Sequence, residues 1–148
     1  MSGLGYEVAD IVEGIWRSEF DLLVTSEDPA CLSGQRTRTW AGIVHISGAW
    51  EGSVAIQCPE PLLSRLAAPS LGLDRQRQAL GDLARMIAEP LSTVLPGPCA
   101  LSITETVELP DFRLQLPHAA QVLQSAFRAA DQVFAVTIFQ RFQTPAPR

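Results

Sequence analysis

Thr39–Cys58 reads TWAGIVHISGAWEGSVAIQC, and this stretch decides the kind of fold the chain adopts. TWAGIVHI and SVAIQC are two β-prone runs. The SGAWEG between them places Gly48 and Gly52 where a hairpin connection needs conformational freedom. Pro59 and Pro61 stop the second strand. Pro61 also fits the first turn of a short helix over Glu60–Ala68, where its missing N–H leaves nothing unpaired. Pro69 and Gly72 end that helix.

Beyond the hairpin the period changes from two to 3.6. A long helix is predicted from about Asp74 to Leu95, with Asp74 as its N-cap. Leu80, Leu83, Ala84, Ile87, Leu91, Val94 and Leu95 fall on one side of it, and Gln78, Asp82, Arg85 and Glu89 on the other. Gly81 inside this helix costs about 1 kcal/mol against Ala, which implies close packing against the sheet or a neighbouring chain. Pro90 removes one backbone hydrogen bond and predicts a kink, and Pro96-Gly97-Pro98 is a firm stop.

Upstream, Leu4, Val8, Ile11, Val12, Ile15 and Phe20 predict an amphipathic helix over about residues 4–20. Leu22–Thr25 reads as a short strand and SEDPACLSGQR as an exposed loop. Downstream, Leu101, Ile103, Val107 and Leu109 alternate with polar residues, the pattern of a strand buried on one face. Residues 119–130 fit helix or strand. The run VFAVTIFQRF reads as a strand buried on both sides, and the TPAPR tail as disordered.

The chain has 148 residues, is 47% hydrophobic and 18% charged, and carries a net charge of −5. One compact domain spanning 1–148 is expected, with its core at about 4–143 and residues 144–148 a flexible tail. The fold class is α/β (α+β): a largely antiparallel sheet with helices packed on one face. The acidic balance, with no dense basic run, argues against nucleic acid and anionic lipid as partners. No window is apolar enough to span a membrane, the start does not read as a secretion signal, and Cys31, Cys58 and Cys99 read as reduced thiols; a cytoplasmic location is expected. Cys58 and Cys99 sit in apolar company and read as buried small hydrophobes. His45 and His118 lack partner ligands for a zinc site, and no Gly-rich phosphate loop is present. Trp40 and Trp50 bracket the hairpin as core-edge or dimer-contact residues.

Two patches, GIVHISGAWEGSVAIQCPEPLLSRL and ALGDLARMIAEPLSTVLPG, resemble the hairpin and signature helix of the CheX family of chemotaxis phosphatases, relatives of CheC and FliY. The resemblance spans nearly the whole chain. It implies a strand for 119–130, a hairpin around Ala129–Gln132, and a homodimer paired through edge strands. In that family a Glu and an Asn three residues later dock on a phosphorylated receiver of the CheY type. The Glu pairs with the receiver's lysine, and the Asn holds the attacking water. The matching positions here are Asp82 and Arg85, and the small pair that often follows is replaced by Glu89 and Pro90. Asp82 keeps the carboxylate with about 1.5 Å less reach. Arg85 has five donors and no acceptor, so it lacks the group that orients a water but can bind phosphoryl oxygens bidentately.

Three readings follow for the Gln78, Asp82, Arg85 and Glu89 stripe. It binds a response-regulator receiver domain without efficient phosphatase chemistry. Alternatively Asp82 anchors the receiver and Gln78, one turn earlier, supplies the amide of an active phosphatase. The third is a structural or dimerisation domain, marked by a stripe covered within the homodimer; and the plainest account of the stripe is a solvated face, stitched by Asp82–Arg85 and Arg85–Glu89 pairs of about 0.2–0.5 kcal/mol each. No cofactor is expected for the chain itself; any Mg2+ belongs to the receiver.

Overall fold

The computed structural model describes residues 3–66 and 72–142. Along the chain, α1 (Leu4–Phe20) is followed by β1 (Thr25–Glu27), a 3-10 turn (Pro29–Leu32), β2 (Thr39–Gly48) and β3 (Gly52–Pro59). Then come α2 (Glu60–Leu66), α3 (Leu73–Ser92), β4 (Cys99–Leu101), β5 (Glu105–Leu109), β6 (Ala119–Ala129) and β7 (Gln132–Arg141). The seven strands make one sheet in the order β1-β6-β7-β3-β2-β4, with β5 also on β2, and every pairing is antiparallel. The first hairpin and the C-terminal hairpin are neighbours through β3 and β7, as expected.

The three helices cover one face. Leu4, Val8, Val12 and Trp16 form the buried stripe of α1, and Leu80, Leu83, Ala84, Ile87 and Leu91 that of α3. They pack on Trp40, Val44, Val54, Ile56, Phe134, Val136 and Ile138 in one apolar core. Trp16 stacks on Phe134 with ring centroids 4.6 Å apart, and Phe127, the cross-strand neighbour of Phe134, lies 5.3 Å from it. Trp40 and Trp50 are buried in this core, with the Arg77 guanidinium 4.4 Å from the Trp40 ring. The helix α3 crosses β2 so closely that a Cβ on Gly42 would lie 2.8 Å from the Leu80 carbonyl oxygen.

The opposite face is built differently. Ala41, Ile43, Ala55 and Phe139 lie beneath Leu109, Leu114 and Leu116, while Phe112, Leu32, Ala126, Val133 and Ala135 form a second small cluster. Its cover is therefore the segment 110–118 and the 3-10 turn, not helix. Thr39, Ser53, Gln57 and Thr137 are buried here.

Several local readings are corrected. The first strand starts at Thr25 rather than Leu22, because Asp21 takes a left-handed conformation (φ 52°) and its N–H, with that of Leu22, closes α1 on the Trp16 carbonyl. The N-cap of α3 is Gly72, not Asp74, and its carbonyl accepts from the N–H groups of Arg75 and Gln76. The helix crosses Pro90 and ends two residues later at Ser92, so the kink expected there has little helix left to bend. Past that end the helical phase no longer holds, and Val94 is 47% exposed instead of joining the apolar stripe. Cys58 is buried as expected, but Cys99 is only half-buried.

The predicted strand over Leu101–Leu109 is two strands separated by a bulge. Ile46 pairs with Leu101 and Ile43 with Glu105, so two residues of β2 face three of the edge, Ser102 to Thr104. A second bulge interrupts β6 between Gln121 and Leu123. The region 119–130 is strand to Ala129, and a tight turn at Ala130 and Asp131, both at positive φ, leads into β7. The segments predicted at Ala67–Pro69 and the TPAPR tail lie outside the described residues.

Candidate functional site

The outer face of α3 presents the four residues singled out from the sequence. Gln78, Asp82 and Glu89 are exposed and Arg85 is half-exposed. Of the two ion pairs predicted along this stripe, one forms. Arg85 Nε donates to Glu89 Oε1 at 3.1 Å, whereas no Asp82–Arg85 pair is present. The guanidinium is drawn the other way because Nη1 donates to the Ser102 carbonyl at 2.9 Å. Asp82 and Gln78 make no hydrogen bond or ion pair with any described residue.

That second contact ties the helix to the bulge. Ser102 is held in turn by β2, its N–H donating to the His45 carbonyl at 2.9 Å and its Oγ accepting from the His45 N–H at 3.0 Å. The same Oγ donates to the Ile103 carbonyl at 2.8 Å. One turn back along α3, an ideal Cβ on Gly81 would lie 2.7 Å from Thr104 Oγ1. Glycine at 81 therefore lets α3 settle onto the bulged edge, which answers the question its helix-weakening presence raised. The residues missing from the sequence reading are Ser102, Ile103 and Thr104. Alternation assigned them to a half-buried strand, and Ile103 is instead 86% exposed.

Other clusters are set elsewhere. On the face away from the helices, His45 Nδ1 and Ser53 Oγ share a hydrogen bond at 2.6 Å, and His45 Nε2 lies 3.4 Å from Glu105 Oε2. These contacts tie β2, β3 and β5 together. His118 is exposed at positive φ. A cavity of about 490 Å3 opens on that face, lined by Leu32, Phe112, Leu114, Leu116, Gln121 and Gln124 among others. Its one charged lining residue, Arg113, is paired with Asp111 at 2.9 Å. Hydrogen bonds from the Arg113 side chain, then from its backbone N–H, hold the Asp111 carboxyl below the usual carboxylate range. Burial pushes the Cys58 thiol far up, so it stays protonated and unreactive. Among the described residues no three His, Cys, Asp or Glu side chains cluster as a metal site requires, and no helix is long and apolar enough to cross a membrane.

The sequence matches no family model and no curated protein. The fold, in contrast, is that of CheX- and CheC-like chemotaxis proteins. CheX from Vibrio vulnificus superposes with a TM-score of 0.75 at 13% identity, covering 93% of this chain and 96% of that one. CheX from Desulfovibrio desulfuricans gives 0.72 at 10% identity, covering 91% and 97%. The Borrelia burgdorferi CheX–CheY–BeF3–Mg2+ complex contributes a further match at 0.61 and 11% identity, covering 92% and 97%.

Proposed function

We propose that this chain is a CheX-like signalling module that docks a phosphorylatable receiver domain of the CheY type through the outer face of α3, without efficient phosphatase activity. The observation that carries this reading is the disposition of Asp82 and Arg85. Asp82 is an exposed carboxylate without a partner among the described residues, on a fold shared with the CheX of the Borrelia burgdorferi CheX–CheY complex. Arg85, three residues on, offers only donors and is engaged with Ser102 and Glu89. A water poised for in-line attack needs an acceptor to take one of its protons; a guanidinium has none. Positioned groups of that kind contribute about 10²–10⁴ in rate, so their loss leaves a binder.

The test is calorimetric titration against a receiver domain held active by beryllium fluoride and Mg2+, the metal belonging to the receiver. Saturable binding that collapses on Asp82→Lys and Arg85→Glu supports the reading. Absence of saturable binding, or indifference to both charge reversals, overturns it.

Gln78 keeps a second reading open, an active phosphatase, because it is exposed on the same face one turn before Asp82 and makes no hydrogen bond to a described residue. There, radiolabelled phosphoryl loss would accelerate over the receiver's own decay and fall back on Gln78→Ala. Edge-strand pairing into a homodimer accompanies either reading, and light scattering of the purified chain measures it.

A further inference from the structure

Ile103 is the most exposed large apolar side chain among the described residues. A lone exposed isoleucine is ordinary; its mounting is not. It sits at the middle of a bulge whose two flanks both touch α3, Ser102 through the Arg85 guanidinium and Thr104 against Gly81. The bulge is fixed from behind by two bonds between Ser102 and the His45 backbone, and across its tip by the bond from Ser102 Oγ to the Ile103 carbonyl. An apolar knob on a braced support loses little freedom when it is buried by a partner. It also lies beside the helical turn that carries Asp82.

Charge defines what fits there. Arg85 is paired with Glu89, so among the described residues Asp82 supplies the uncompensated charge of this turn, with Glu105 just beyond the bulge. A carboxylate next to an isoleucine matches a partner surface with a cation beside a shallow apolar depression.

We propose, building on the receiver-docking reading, that Ser102–Thr104 is the second half of the docking surface, with Ile103 as its apolar anchor. Arg85 is a positioning residue that straps the bulge to α3 rather than a ligand of the phosphoryl group. The receiver contributes a lysine or arginine to Asp82 and an apolar depression to Ile103.

The probe is the CheY-type receiver domain encoded nearest to this protein's gene, activated with beryllium fluoride and Mg2+ and titrated against the full chain. Ile103→Ala is expected to weaken binding about tenfold and Ile103→Asp at least a hundredfold, with unchanged thermal unfolding because the side chain is exposed. Arg85→Met should speed amide exchange at Ser102–Thr104. In a double-mutant cycle with Ile103→Ala it should be non-additive, since both changes act through one bulge. If the wild type binds and both Ile103 variants bind equally well, the anchor is overturned and the docking reading stands. If the wild type does not bind, both fall. Additive effects with unaltered exchange would overturn the strap.

Discussion

The two faces of the sheet are held by different means. Beneath the helices, Trp16, Phe127, Phe134, Ile56 and Ile138 are fully buried among apolar neighbours, with Trp16 and Phe127 both packed on the Phe134 ring. Beneath the segment 110–118, the same strands turn Gln57 and Thr137 inward, and Gln57 Oε1 and Thr137 Oγ1 are buried without a hydrogen-bond partner among the described residues. Gln57 Nε2 does reach Thr39 Oγ1 at 3.3 Å, and Thr39 Oγ1 donates to the Asp111 carbonyl at 2.7 Å. Unpartnered buried atoms occur on both sides, since Trp16, Trp40 and Trp50 Nε1 lack hydrogen-bond partners among the described residues beneath the helices; the two faces differ in what covers them, helices on one and the segment 110–118 with the 3-10 turn on the other.

The largest test of that contrast is Trp16→Ala. Removing this fully buried ring from the helix face should cost about 3–5 kcal/mol, read as a lower denaturation midpoint, because cavity and transfer terms add where packing is tight. A fall of under about 1 kcal/mol would show that the helices do not dominate. On the other face, Thr137→Val keeps the shape and deletes an unpaired hydroxyl, so a gain of about 1 kcal/mol is expected in the same measurement. Destabilisation instead would reveal that the hydroxyl is satisfied in solution. The smallest effect belongs to Asp111, at the start of the covering segment. Its folded pKa is depressed, so its contribution is fully present above the ordinary value of about 3.9 and is lost as pH falls through the folded one. Asp111→Asn should therefore lower stability slightly at neutral pH and leave it unchanged in strong acid, which flattens the acid limb of the stability profile. An unaltered acid limb would remove Asp111 as an anchor of that segment.

The same contrast marks what was legible in the sequence. Elements on the helix face announce themselves, since Leu4, Val8 and Val12, or Leu80, Leu83 and Ile87, repeat with the period of the structure that buries them; Trp16, which completes the buried stripe of α1 where Ile11, Ile15 and Phe20 are only partly buried, is not among the residues read from the pattern. The β2–β3 hairpin was equally plain. The region 119–130 was not, because its small and apolar residues satisfy both periods, and only the resemblance to CheX-type chains pointed to strand. The bulge at Ser102–Thr104 was invisible because alternation counts residues without knowing that a partner strand skips one. Asp82, Arg85, Gln78 and Glu89 were placed on one face correctly. What could not be foreseen was Arg85 turning from Asp82 toward the Ser102 carbonyl, a bond that exists only once the bulge does.

Both bulges fall on strands that border open sides of the sheet. On one side, Ser102–Thr104 divides β4 from β5; on the other, β1 covers only Ala126–Arg128 of β6, and the remainder is broken at Val122. Stacked cross-β growth needs about six or seven consecutive extended residues offered to a newcomer. Neither border offers that many, so concentrated solutions should stay free of thioflavin-binding fibrils, and any strand that a second copy adds is limited to a few rungs.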